Sequence, residues 1–176
     1  MHKNQRIAIL ATHGFEQSEL VEPRDALRKA GFKVDVVSPE AGRIRGWQGK
    51  DWGEPVAVDV ELANAAAADY AALILPGGVI NPDRLRGDAT AIDFIRHFDA
   101  EGKPLAAICH GPWLLVEAGV AKDREMTSYA SIRTDVSNAG ARWRDAEVVV
   151  DGHVITSRMP DDLPAFIDAV IQALGD

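Results

Sequence analysis

Short apolar, β-branched runs alternate with longer segments of helical period, and this alternation limits the fold more than any other feature of the chain. Residues 6–12 (RIAILAT) have strand length and strand composition, with the near-continuous apolar character of a strand covered on both faces. The run ends at the turn-like pair His13-Gly14. The pattern then predicts a helix capped by Ser18, running through Val21, Leu27 and Ala30 and stopping at Gly31. Residues 32–38 (FKVDVVS) read as the next strand, which makes a βαβ unit with the usual right-handed crossover.

The same rhythm recurs. Residues 71–76 (AALILP) predict a buried strand ending at Gly77-Gly78, and residues 88–102 a helix closed by Gly102. Residues 104–108 (PLAAI) and 111–119 predict the following strand and helix. Two β-rich runs flank Asp151-Gly152 within residues 146–157, a hairpin signal. Residues 160–175 predict the closing helix, with Pro160 near its start and acidic residues in its first turn. Residues 41–59 break the pattern: Gly42, Gly46, Gly49 and Gly53 punctuate short β-like pieces bearing Trp47 and Trp52. This predicts a small hairpin excursion. The whole implies an α/β sandwich with a mostly parallel central sheet and ligands bound at the carboxyl ends of the strands. With no linker or repeat, residues 1–176 are expected to form one domain, large enough to bury roughly 70% of the unfolded surface.

Charge and cysteine usage narrow the partners. Against 19 Lys and Arg stand 27 Asp and Glu, a net charge of −8 with no basic cluster, so nucleic acid and anionic membrane are disfavoured. No apolar run approaches about 18 residues and the N-terminus lacks a signal-peptide pattern, which predicts a soluble, cytoplasmic protein. A single cysteine, Cys109, excludes an internal disulfide and a multi-cysteine metal cage.

Cys109 follows the strand 104–108 and precedes a helix, within Ala107-Ile108-Cys109-His110-Gly111. Small residues two before and two after are what a nucleophile elbow needs, because its strained turn brings those positions together while lifting the nucleophile. The helix start also favours thiolate over thiol. A lone cysteine is otherwise commonly an inert core residue; its setting makes Cys109 the expected nucleophile. Gly77-Gly78 ends a neighbouring strand, either as a plain tight turn or as half of an oxyanion site in which the Gly78 and His110 amides converge. His110 is either the general base or a helix-capping ring. Glu16, after the first strand, is either a surface charge or a protonated donor to sulfur, since desolvation and a nearby thiolate would raise its pKa. Dinucleotide, phosphate-loop and zinc-protease motifs are absent, and no cofactor or metal is expected, a His13, Glu16 and Cys109 metal site being disfavoured.

The run from Gly102 to Pro112 (GKPLAAICHGP) resembles the signature of the ThiJ/PfpI superfamily, in particular its PfpI-like intracellular protease and deglycase branch. The resemblance extends to 14–20 (GFEQSEL), 75–78 (LPGG), 127–129, 138–140, 145–152 and 156–158. It implies a flavodoxin-like three-layer sandwich with Cys109 at the elbow, Glu16 as the buried acid bonded to sulfur, and the Gly78 and His110 amides polarising a carbonyl. It also implies that an acid after the double glycine, here Asp83, reaches His110 from a neighbouring subunit of a homo-oligomer. Asp83 replaces the branch's usual glutamate, and an N-terminal helix charge is the alternative. The implied activity is cysteine-dependent hydrolysis in stress defence, acting on glycated proteins or amino acids or on reactive aldehydes such as methylglyoxal. A peptidase with a Cys-His-Asp triad and a redox or electrophile sensor acting through Cys109 are the alternatives. An amidotransferase lacks its His-x-Glu pair, since 153–155 read His-Val-Ile.

Overall fold

The structure is a computed structural model and describes residues 5–175. Its central sheet has seven strands. In chain order they are β1 (Arg6–Leu10), β2 (Lys33–Ser38), β5 (Val60–Glu61), β6 (Ala72–Leu75), β7 (Leu105–Ile108), β10 (Val149–Asp151) and β11 (Val154–Ser157). Across the sheet the order is β10-β11-β7-β6-β1-β2-β5. Every neighbouring pair is parallel except the β10–β11 hairpin. The chain winds outward from β1 through β2, then returns to β1's other side at β6. That reversal opens a crevice at the carboxyl ends of β1 and β6.

Alternation along the strands builds two cores. Ala8, Leu10, Leu73, Leu75, Leu105 and Ala107 face α3 (Ala89–Ala100) and α4 (Pro112–Ala118). Ile7, Ile9, Ile74, Ala106 and Ile108 face α1 (Gln17–Lys29) and α6 (Leu163–Gly175). These strand residues are almost wholly buried, and each large one contributes about 1.5–3 kcal/mol over an exposed position. The α/β sandwich with a mostly parallel sheet is therefore what the apolar runs specify.

Helix ends follow local chemistry with one correction. The Asp88 carboxylate accepts from the amides of Thr90 and Ala91 at 2.9 and 3.3 Å at the start of α3. Helix α4 begins at Pro112 and stops at the left-handed Gly119. Helix α1, however, begins at Gln17 with Glu16 at its cap, so Ser18 lies inside the first turn instead of capping it. The excursion at 41–59 is the hairpin β3 (Arg43–Gln48) and β4 (Asp51–Ala57). Short elements without a strong apolar pattern complete the chain: α2 (Ile80–Leu85), α5 (Arg133–Asn138), and the two-stranded pair β8 (Glu125–Met126) and β9 (Arg142–Trp143). Among the described residues no helix is long and apolar enough to cross a membrane.

The strand ends at the crevice approach so closely that side chains are excluded. A Cβ on Gly111 would stand 2.5 Å from the Leu75 carbonyl oxygen and 2.8 Å from that of Ile108, both backbone atoms. We expect Gly111→Ala to destabilise the fold by about 1–3 kcal/mol. Gly87→Ala, whose Cβ would meet only an ordinary contact at 3.5 Å, should stay within about 0.5 kcal/mol of the parent. Urea denaturation of both variants checks the pair.

Candidate active site

Cys109 sits on the elbow that the spacing predicts. Its φ is +63°, a left-handed conformation costly for a residue with a Cβ. It persists because the turn is pinned on both sides: the Cys109 amide donates to Ser157 at 3.0 Å, and its carbonyl accepts from the Tyr129 amide at 2.8 Å. The Gly111 amide closes the turn onto the Ile108 carbonyl at 2.8 Å. The strain lifts the sulfur to the floor of a cavity of about 440 Å³, walled by Trp47, Ile80, Tyr129 and Pro160.

The buried acid beside that sulfur is Glu19, which corrects the expectation for Glu16. Glu19 is fully buried. Its Oε1 accepts from the Gly77 amide at 3.0 Å, and the carboxyl lies beside the Cys109 side chain. Burial, then the neighbouring Glu16 charge, push Glu19 up to about 8, so it is protonated at neutral pH. Burial, then Glu19, likewise push the Cys109 thiol above its ordinary value, while the Gly78 and His110 amides directed at the sulfur pull it down. Glu16 stands at the cavity wall instead, half-buried, its pKa raised by burial against a hydrogen bond with Ser18. The sequence signal for Glu19 is an acid on the apolar stripe of α1, beside the buried Leu20, Pro23 and Leu27.

His110 is turned toward the sulfur, not away as a helix cap. Nδ1 lies 3.3 Å from Cys109 Sγ and Nε2 lies 3.3 Å from Ser131 Oγ. The ring stacks on Tyr129 at 5.0 Å and meets the Trp113 ring at 5.1 Å. Burial lowers its pKa, leaving a neutral imidazole able to take a proton.

The two glycines divide their work. Gly78, at φ +76°, presents its amide to the sulfur; the Gly77 amide is spent on Glu19, so Gly77 is not an oxyanion donor. Asn81, wholly buried, binds this loop to the end of β1: it accepts from the Thr12 amide at 2.8 Å and donates to the carbonyls of Pro76 and Gly77 at 3.0 and 3.2 Å. Asp83 does not line the cavity of its own chain; its carboxylate pairs with Arg86 at 2.6 Å on the exposed side of α2. Among the described residues no three His, Cys, Asp or Glu side chains gather as a metal site.

The Glu19 proton has a stability consequence. The folded state keeps it to about pH 8, whereas an ordinary carboxyl releases it near 4.5. Stability linked to Glu19 is therefore complete below the lower value and is lost as pH rises through the upper one. Glu19→Gln removes that loss. The variant's stability relative to the parent should rise by about 5 kcal/mol between those pH values and then level off, as read by urea denaturation across pH.

The DJ-1/PfpI family model matches residues 5–173. Protein/nucleic acid deglycase 2 of Escherichia coli is 44% identical over 98% of this chain and 99% of its own length. General stress protein 18 of Bacillus subtilis is 43% identical over 92% of this chain and 93% of its own. A two-domain protein of Anabaena variabilis, containing DJ-1/ThiJ/PfpI-like and ferritin-like domains, superposes with a TM-score of 0.92 at 34% identity. That match covers 98% of this chain and 48% of the longer one. The flavodoxin-like sandwich, the elbow cysteine and this full-length likeness have one meaning: the chain belongs to the DJ-1/PfpI family.

Proposed function

We propose that the protein is a cysteine-dependent hydrolase that removes dicarbonyl adducts, such as those of methylglyoxal, from amino groups and guanidinium groups, in defence against reactive aldehydes in the cytoplasm. The observation that carries this reading is the setting of Cys109 Sγ, between a protonated Glu19, a neutral His110 Nδ1 at 3.3 Å and two backbone amides. The deglycase and stress-protein names of the two relatives support it. The compact cavity of about 440 Å³ suits a small adduct better than an extended peptide.

The chemistry balances without an external oxidant. An aminocarbinol, R–NH–CH(OH)–CO–CH3, is isomeric with the amide R–NH–CO–CH(OH)–CH3. A pocket carboxyl, Glu16, takes the proton from the first carbon and returns one to the second, while the hydroxyl proton on the first carbon passes to the oxygen on the second. Cys109 then attacks the amide carbonyl as its thiol proton passes to His110 Nδ1, and the new oxyanion is held by the Gly78 and His110 amides. The C–N bond breaks as His110 returns the proton to the leaving amine. Water cleaves the thioester, releasing a 2-hydroxy acid and the free thiol. Glu19 keeps its proton throughout and donates toward sulfur, which stabilises the thiolate that the burial opposes. The same groups support a second reading, since a protonated carboxyl and two amides around sulfur are also suited to hold a sulfinate.

A homo-oligomer completes the proposal. Val79 and Ile80 are exposed beside the cavity mouth, where a second copy would cover them and bring its Asp83 toward His110.

Release of N-acetylarginine from its methylglyoxal adduct should fall at least about a hundredfold in Cys109→Ala and by about 10²–10⁴ in His110→Ala. Retained turnover in Cys109→Ala sinks the reading. For Asp83, the test is complementation: co-refolded Cys109→Ala and Asp83→Asn chains should recover turnover that neither has alone. A mixture as inactive as its parts removes Asp83 from the site.

A further inference from the structure

We infer that Ser131 is the positioning residue that holds His110 in the tautomer able to take the Cys109 proton. The inference rests on the roles of Cys109 and His110 proposed above and adds a member to their set. A neutral imidazole carries one N–H. For Nδ1 to accept from the thiol, the hydrogen must sit on Nε2, where it needs an acceptor. Nδ1 lies 3.3 Å from Cys109 Sγ, and 3.3 Å from Nε2 lies the Ser131 hydroxyl oxygen. That oxygen accepts from Nε2–H in the neutral ring and again in the imidazolium formed during attack, so one contact serves both states.

Within one chain the surroundings leave this place to Ser131, whose own hydroxyl hydrogen remains available to donate to a carboxylate brought by a second copy. Glu19 lies beneath the sulfur, bonded to the Gly77 amide, and Glu16 stands on the cavity wall. Trp113 meets one side of the ring, with Arg86 stacked 4.3 Å over its indole and Asp135 2.8 Å from its Nε1. Tyr129 stacks on the imidazole. None of these carboxylates bonds Nε2, and Asp83 of the same chain pairs with Arg86. Among the described residues Ser131 Oγ is the side-chain partner of Nε2, and it makes no other hydrogen bond there.

Ser131 is also held in register with the elbow. It occupies a single turn of 3-10 helix, Ala130–Ile132. The preceding Tyr129 amide donates to the Cys109 carbonyl at 2.8 Å, and the Ile132 amide to the Tyr129 carbonyl at 3.1 Å. Ser128 Oγ accepts from Trp143 Nε1 at 3.0 Å and donates to the Tyr129 carbonyl at 2.9 Å. The Thr127 amide is fixed by Thr156 Oγ1 at 3.0 Å. The turn therefore moves with the nucleophile's own backbone, and the hydroxyl keeps its place relative to the imidazole.

The single cysteine makes the test clean, because alkylation by iodoacetamide, followed by intact mass, reports Cys109 alone and needs no knowledge of the substrate. In Ser131→Ala, alkylation near neutral pH should slow about three- to tenfold, the loss of one hydrogen bond. The His110 ring nitrogen spectrum should shift from Nε2–H toward a mixture of tautomers. Ser131→Thr, which keeps the hydroxyl, should restore both. An unchanged rate and tautomer in Ser131→Ala overturns the inference, as does a threonine variant as slow as the alanine one. Neither result bears on the hydrolase reading, which fails separately if Cys109→Ala still turns over the glycated substrate.

Discussion

The burial of two ionisable groups side by side, the Glu19 carboxyl and the Cys109 thiol, is the constraint around which the rest of the molecule is arranged. A carboxyl with no exposure and a sulfur at 7% exposure both resist ionising. Chemistry at the sulfur is possible only if the neighbours offer donors that water would otherwise supply. The amides of Gly78 and His110 do so at the sulfur, and the Gly77 amide does so at the carboxyl. Gly77 can approach this closely because it has no side chain: a Cβ there would fall 2.7 Å from Glu19 Oε1 and 2.8 Å from Cys109 Cβ. The left-handed turn at Cys109 is the backbone cost of placing the sulfur among these donors.

Much of this frame was legible in the sequence, because buried parallel strands announce themselves as apolar runs and their ends are where the site must lie. Ala107 and Gly111 located the elbow, since only small residues permit the contact of Gly111 with the Leu75 carbonyl. His110 was found by adjacency, but the direction of its ring was not, because that depends on Tyr129 and Ser131, which arrive from another part of the chain. Such contacts leave no local pattern to read.

The displacement of the acid from Glu16 to Glu19 has a definite physical origin. Glu16 is the acid that the end of the first strand and the family resemblance point to, with the helix expected to begin only after a cap at Ser18. The helix begins at Gln17, and its first turn carries Glu19 inward on the same face as Pro23 and Leu27, while Glu16 is left at the cap. A boundary shift of one or two residues rotates a helix position by roughly 100° per residue, enough to exchange the buried acid for the half-exposed one. The more durable sequence clue is thermodynamic: an acid within an apolar stripe is costly unless it has a partner, and Cys109 with Gly77 is that partner.

The hairpin β3–β4 shows how a sheet of common design acquires a particular pocket. Its Trp47 amide bonds the Phe15 carbonyl, and Gly46 lies so close to Phe15 that a Cβ would sit 2.6 Å from the ring. The hairpin thereby lays Trp47 along the cavity beside Glu16, with Trp52 packed edge-on behind it at 5.4 Å. Desolvation of Glu16, which raises its pKa, follows from that cover. The excursion thus bears on the protonation of a carboxyl that faces the cavity, whereas the sheet and its glycines bear on that of the carboxyl beneath the sulfur. Two acids three residues apart acquire different environments because one is covered by a hairpin and the other by the core. Burial raises the pKa of both, and it does so most where the core closes over Glu19.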